Sequence, residues 1–324
     1  MNMRKGLLIG INKYHDCSLN CCINDVNELN KVLSVNSDNT KNFHNSLLLD
    51  EEATRANIRR KIKDLFSGTG DVALLYFSGH GFDDKNDGFI VSYDYENDDW
   101  GIKMTEIIKE ANASKINYKI IILDCCHSGF MGNYGIIGDT SYLGDGVVIL
   151  TACRNDEVAM EVNDHGVFTN LLIEALNGGA CDILGNVTPG TVYSYIDQAL
   201  GPWIQRPLFK ANINSFISLR RCNAKIEISE LKKIVCFFKN DNEVYTLDPS
   251  YEKTNIQGCE YKNKPPYAIA ENVEKMTILQ KYNRNGLLIP YGATDMYFAA
   301  MDNKGCILTP LGKHYYKMIK EEVI

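Results

Sequence analysis

Continuous apolar segments recur along the first 150 residues, and stretches with helical periodicity separate them. The apolar segments at residues 5–11, 71–77, 118–123 and 147–150 predict fully buried strands, and residues 44–49 predict a further strand. Helices are predicted over residues 24–33, from the capping residue Thr54 through residue 66, and over 104–113, 167–176 and 192–200. Buried strands that alternate with helices are typical of a mainly parallel sheet covered on both faces. The sequence therefore predicts a doubly wound α/β domain.

This pattern changes near residue 221. Residues 222–324 predict a helix over 227–238, a polar middle, and a final strand and helix in which Thr309 caps the helix and Pro310 is its first residue. We therefore expect a large α/β domain over residues 1–221 and a smaller α+β domain over 222–324. The first part carries 20 Lys and Arg against 28 Asp and Glu, and the second carries 14 against 13.

Charge and cysteine content narrow the class of protein. The net charge of −7 and the absence of a basic stretch argue against nucleic-acid binding. No apolar run reaches the roughly 18 residues that a membrane span needs, and the apolar start is too short for a signal peptide. The 11 cysteines are odd in number and form no regular framework, so we expect free thiols and a cytoplasmic location.

Two of the predicted strands end in residues that suit nucleophilic catalysis. Residues 71–77 are followed by Ser-Gly-His-Gly, which contains His80, and residues 118–123 are followed by Asp-Cys-Cys-His-Ser-Gly, which contains Cys126. If these strands are neighbours, His80 and Cys126 face each other at one sheet edge. A thiol needs a nearby imidazole to form thiolate and to protonate the leaving amine. The backbone amides of Gly81 and Cys126 are candidate oxyanion donors.

These motifs resemble those of the caspase-like cysteine peptidases, and in particular the metacaspase and bacterial branch with its D-S-C-H-S-G pattern. Cys126 follows His80 by 46 residues, which fits the caspase spacing of about 50. Cys125 stands in place of the serine, so that Cys126 aligns with the nucleophile, and Cys125 is expected to point into the core. The resemblance covers residues 4–221 and implies a caspase-like fold and cysteine endopeptidase activity.

The resemblance also implies a preference for basic substrates. Metacaspases bind Arg or Lys with acidic residues, whose positions match Asp25 and Asp124, and Cys22 and Ser78 match further pocket positions. Paired carboxylates favour a guanidinium, so we expect cleavage of proteins or peptides after Arg, with Lys second. Two structural alternatives remain open, because Asp25 could serve as a helix N-terminal charge and Asp124 could orient the turn that follows it.

Calcium and activation are the points at which the sequence departs from the metacaspase pattern. An acidic segment between residues 83 and 99 corresponds to the calcium region of many metacaspases, which would suit calcium's oxygen ligands. Lys103-Met104 replaces the usual paired aspartates, which favours a solvated acidic loop, so no cofactor is expected and a calcium site is the less favoured alternative. Residues 130–146 contain no Arg or Lys, so a basic-specific enzyme could not process itself there.

The C-terminal part has no catalytic motif. Its final 50 residues resemble the last strand and helix of a winged-helix module, and bacterial caspase-like proteins are often joined to sensor modules in anti-phage defence. We therefore expect residues 222–324 to sense a protein partner or a small nucleotide-type signal and to gate the peptidase. The other hypotheses are a catalytically silent caspase-like scaffold and a winged-helix DNA-binding regulator, for which the near-neutral charge is unfavourable.

Overall fold

The protein folds into two compact units, residues 1–223 and 224–324, in a computed structural model. The structure describes residues 3–83, 87–96, 99–125, 142–152, 161–162, 165–200, 207–215, 217–258 and 263–324.

A six-stranded sheet forms the centre of the first unit. Its strands are β1 (Arg4–Gly10), β2 (His44–Leu49), β3 (Val72–Ser78), β7 (Tyr118–Asp124), β8 (Val147–Thr151) and β12 (Leu208–Asn212). The order across the sheet is β12-β8-β7-β3-β1-β2, in which β12 alone runs antiparallel to its neighbour. The predicted mainly parallel sheet is confirmed. The edge strand β12 was not predicted, because its residues are partly or fully exposed and form no apolar run.

Helices cover both faces of this sheet. They are α1 (Cys22–Ser34), α2 (Arg55–Phe66), α3 (Met104–Ala113), α4 (Val167–Glu174) and α5 (Pro189–Leu200). Alternate strand residues point to opposite faces, so that Leu7 packs in one core with the apolar side chains of α2 and α3, whereas Leu8 packs in a second core with those of α1, α4 and α5. Burial on both faces explains why the central strands are continuous apolar runs.

Capping residues set several helix starts. Thr54 accepts a hydrogen bond from the backbone amide of Asn57, as predicted for the start of α2. Helix α5 begins at Pro189, earlier than predicted, because the hydroxyl of Thr188 accepts a hydrogen bond from the backbone amide of Thr191 at 3.2 Å.

Smaller sheets lie outside the central one. The chain after β3 forms a sheet of three antiparallel strands, which are β4 (Gly81–Asp83), β5 (Gly88–Glu96) and β6 (Asp99–Lys103). Two short pairs follow, formed by β9 (Glu161–Val162) with β10 (His165–Gly166) and by β11 (Asn186–Val187) with β13 (Arg220–Arg221).

The second unit combines short helices with an antiparallel sheet. Its helices are α6 (Ile228–Leu231), α7 (Ile234–Phe237), α8 (Ala270–Arg284), α9 (Met296–Met301) and α10 (Pro310–Lys320), and its strands are β14 (Tyr245–Thr246), β15 (Leu288–Tyr291) and β16 (Gly305–Leu308), in the order β14-β16-β15. The final strand and the helix capped by Thr309 are confirmed. The prediction of one helix over residues 227–238 was wrong, since the structure has two short helices there. They are separated at Lys232 and Lys233, whose ψ angles of −20° and −10° are closer to those of a 3₁₀ turn.

None of the helices in the described parts of the chain is both long enough and apolar enough to cross a membrane.

Candidate active site

The two strands that carry the catalytic motifs are adjacent and parallel. Ser78, the last residue of β3, pairs with Asp124, the last residue of β7. His80 and Cys126 each follow this pair by two residues along the chain. The predicted neighbourhood of the two strands is therefore observed, whereas Cys126 itself lies outside the described residues.

His80 is held by three hydrogen bonds. Its backbone amide donates to the Tyr14 hydroxyl at 3.0 Å, and its carbonyl accepts from the amide of Val91 at 3.0 Å. Its imidazole Nε2 lies 2.6 Å from the carbonyl oxygen of Cys17. A carbonyl only accepts, so Nε2 carries a proton and Nδ1 of the neutral ring is the nitrogen that can take one up.

Tyr14 also packs against the His80 ring. The centroids of the two rings are 4.5 Å apart, and the Tyr14 hydroxyl donates to the carbonyl of Val91 at 3.4 Å. Burial raises the pKa of Tyr14 well above its usual value, which keeps the phenol protonated. A Cβ atom at Gly79 would lie 2.5 Å from the Tyr14 hydroxyl oxygen, so the first glycine of the motif is required by this packing.

Asp25 and Asp124 converge beside these strand ends. Asp25 is 1% exposed, and its Oδ2 accepts hydrogen bonds from the Ser78 hydroxyl at 3.3 Å and from the Gly166 amide at 3.4 Å. A Cβ atom at Gly166 would lie 3.3 Å from Asp25 Oδ2 and 2.5 Å from Asp124 Oδ2. Both carboxylates therefore lie close to the backbone of Gly166, where a larger residue would collide with Asp124.

Asp124 accepts a hydrogen bond from a buried hydroxyl, which a second buried hydroxyl contacts in turn. The Thr169 hydroxyl donates to Asp124 Oδ2 at 2.6 Å, and the Tyr76 hydroxyl lies 2.6 Å from the Thr169 oxygen. Asp124 is 6% exposed, and Thr169 and Tyr76 are fully buried. Burial, and after it the negative charges of Asp25 and Asp124, raises the pKa of Tyr76 well above its usual value. The carboxylate is thus fixed by a path of hydroxyl groups inside the core.

A family model described as the caspase domain matches residues 3–206, which is more than half of the chain. The chain belongs to the caspase family. The resemblance predicted from the two motifs is thereby confirmed. The crystal structure of a Geobacter sulfurreducens protein, a structural genomics target, aligns with 17% sequence identity and a TM-score of 0.51, covering 68% of this chain and 97% of that chain. At this identity the likeness shows the fold alone. No curated protein matches the sequence significantly.

Three further residues of the caspase domain were predicted to belong to the site or to lie beside it. Cys22 is buried at the first position of α1, one turn before Asp25, and Cys125 is fully buried in the core, as predicted. Gly81 begins β4 and pairs with Ile90. The roles of Cys22 as a pocket residue and of the Gly81 amide as an oxyanion donor stay predictions.

The acidic segment of this caspase domain is partly used by the protein itself. Asp87 is buried and accepts hydrogen bonds from the Thr105 hydroxyl and backbone amide. Asp94 accepts from the Arg55 amide at 2.7 Å, and Asp99 forms an ion pair with the Arg55 side chain. Among the described residues no group of three or more His, Cys, Asp or Glu is placed to hold a metal ion. Three carboxylates of the segment therefore serve contacts within the protein, and the expectation that no metal binds stays a prediction.

Sequence reasoning missed four residues that shape the site: Tyr14, Tyr76, Gly166 and Thr169. The sequence pattern indicates only core packing for Tyr14 and Tyr76, and Thr169 lies within a predicted helix. Gly166 immediately precedes that helix, which is a usual place for a glycine. Local signals give each of them a structural explanation, and only the tertiary fold brings them to His80 and Asp124.

Proposed function

We propose that this caspase-family chain is a cysteine endopeptidase that cleaves after Arg, with Lys second. The observation that supports this substrate class best is the convergence of the buried carboxylates of Asp25 and Asp124 beside Gly166, next to the strand ends that lead to His80 and Cys126.

The electrostatics of this convergence favour a cation. Two carboxylates that are nearly removed from water repel each other, and each is costly to keep charged without a counter-charge. A guanidinium supplies that charge and can form paired hydrogen bonds to a carboxylate. A substrate aspartate would add a third negative charge at the same place, which is unfavourable at such short range.

The proposed reaction uses His80 in both half-reactions. Nδ1 takes the proton of the Cys126 thiol, and the thiolate attacks the carbonyl carbon of the basic residue. The amides of Gly81 and Cys126 stabilise the oxyanion, and the imidazolium returns its proton to the leaving amine as the C–N bond breaks. Water, deprotonated by His80, then hydrolyses the thioester and regenerates the thiol.

Reporter peptides with Arg, Lys or Asp at the cleavage position test this function. The wild type should cleave Arg and Lys peptides, Cys126→Ala should be inactive, and Asp25→Asn or Asp124→Asn should lose most of kcat/KM for Arg. Faster cleavage of the Asp peptide would overturn the substrate assignment. Silence of the wild type in the presence of cell lysate and nucleotide signals would favour a binding scaffold instead.

We also propose that the C-terminal unit gates the peptidase as part of a signal-controlled effector in the cytoplasm. Residues 130–146 lack a basic cleavage point, so control by self-cleavage there is unsuited to this specificity. The unit carries exposed apolar side chains that suit a partner or ligand surface, namely Ile289, Tyr291, Phe298 and Leu311. Its near-neutral charge makes DNA a poorer candidate. Activity of the full chain with and without added nucleotides or lysate tests this control, and salt-sensitive DNA binding would favour the regulator hypothesis.

A further inference from the structure

A path of buried hydroxyls runs from the core of the caspase domain to the pocket carboxylate. It begins at Tyr76 on β3, passes through Thr169 on α4 and ends at Asp124 on β7, with both oxygen separations at 2.6 Å. Three different elements therefore meet in these two short contacts, in a region that is almost fully removed from water.

The chemistry of the groups fixes the direction of the two hydrogen bonds. The Thr169 hydroxyl donates to Asp124 Oδ2, which uses its single proton. The Thr169 oxygen can then only accept from Tyr76. Tyr76 can donate, because its raised pKa keeps the phenol protonated at any pH at which the enzyme would work.

We propose that Thr169, supported by Tyr76, is a positioning residue that sets the preference for arginine over lysine by holding the Asp124 carboxylate in one orientation. This inference rests on the proposed function, since it assigns Asp124 to the pocket for the basic residue.

Orientation matters more for arginine than for lysine. The guanidinium is planar and forms paired hydrogen bonds only when the carboxylate lies in a matching plane, whereas the ammonium is a compact point charge with rotatable donors. The Thr169 hydroxyl donates to Asp124 Oδ2 at 2.6 Å and has its own donor in Tyr76, so it restrains the position of that oxygen. Loss of that restraint should therefore weaken arginine binding more than lysine binding.

The test compares Thr169→Val, Thr169→Ser and Tyr76→Phe in the full chain, with kcat and KM measured separately on matched Arg and Lys reporter peptides. Valine keeps the shape of threonine and removes its donor, so KM for Arg should rise about tenfold, with KM for Lys and both kcat values changing less than about threefold. Serine keeps the hydroxyl and should restore the wild-type Arg to Lys ratio. Tyr76→Phe should lie between the wild type and Thr169→Val.

Ser92→Ala is the matched control for removing a buried hydroxyl, because the Ser92 oxygen is buried and makes no hydrogen bond within the described structure. Its Arg to Lys ratio should equal that of the wild type. If thermal unfolding shows that Thr169→Val folds poorly, the Arg to Lys ratio of Tyr76→Phe is compared with that of the wild type instead. A ratio equal to that of the wild type would then contradict the positioning role.

Two outcomes overturn the inference and differ from each other. If wild type prefers Arg but Thr169→Val, Thr169→Ser and wild type share one Arg to Lys ratio, or if only kcat falls, the positioning role is wrong and the proposed function stands. If wild type fails to cleave basic peptides, the proposed function and the inference fail together.

Discussion

The carbonyl oxygen of Cys17 lies 2.6 Å from Nε2 of His80, and this contact leaves Nδ1 as the imidazole nitrogen available for proton transfer. The tautomer follows from backbone geometry, because the partner of Nε2 is a carbonyl oxygen. Asp16, the residue before Cys17, accepts a hydrogen bond from the Tyr95 hydroxyl at 3.2 Å, which ties the same segment to β5. The orientation of His80 thus depends on how the segment after β1 is anchored.

Tyr14→Phe tests this anchoring. The change removes the acceptor for the His80 amide and the donor to Val91, and it leaves the ring contact with His80 in place. We expect kcat on the preferred peptide to fall about tenfold, the equivalent of one lost buried hydrogen bond, with KM nearly unchanged. Tyr142→Phe, at an exposed position, is the control. Equal kcat in the two variants would show that Tyr14 does not position His80.

The sequence predicted the strands of this site better than its contacts. Buried parallel strands produce apolar runs, so β3 and β7, the order of the motifs and the candidate pair Asp25 and Asp124 followed from local patterns and resemblance. The contact of His80 with Cys17 could not be predicted in this way, because a backbone carbonyl has no residue signature. Thr169 was hidden for a related reason, since a threonine inside a helix gives no sign of which strand its hydroxyl faces.

Gly166→Ala tests whether the two carboxylates beside Gly166 bind the basic group of the substrate. The backbone of Gly166 has φ of −62°, which alanine adopts without strain, so the effect comes from the added methyl group alone. That group would lie 2.5 Å from Asp124 Oδ2. We expect kcat/KM for the Arg peptide to fall by about a hundredfold, and the free energy of unfolding to fall by about 1–3 kcal/mol from overpacking.

Peptide kinetics and urea unfolding on the same Gly166→Ala preparation separate the two effects. A loss of stability with kcat/KM for Arg intact would mean that the substrate's basic group binds elsewhere.

The intact chain should be the active species. Residues 130–146 lack Arg and Lys, so neither the wild type nor Cys126→Ala should be cut within this segment. Both should keep the mass of their uncut chains after incubation under conditions in which the wild type cleaves the Arg peptide. Intact-mass spectrometry after each time point provides the measurement. Activity that grows only as a cut accumulates within residues 130–146 would contradict both this expectation and the assigned specificity.

The ion pair between Arg59 and Glu106 predicts a pH-dependent contribution to the stability of the caspase domain. It joins α2 to α3 through two hydrogen bonds, at 2.6 and 3.1 Å, and the hydrogen bond from the Arg59 guanidinium lowers the pKa of Glu106 below its usual value. A carboxyl whose folded pKa is depressed stabilises the fold fully above its unfolded pKa, and this contribution is lost as the pH falls through the folded value. Because both side chains are partly exposed, we expect Glu106→Gln to lower the free energy of unfolding by only about 0.5–1 kcal/mol at pH 7.

The difference in the free energy of unfolding between Glu106→Gln and wild type should shrink towards zero as the pH falls below 4. Urea unfolding measures this difference, with Glu110→Gln on the same helix as the control. A difference that stays constant down to pH 3 would show that the stabilisation comes from packing of the side chain and not from its charge.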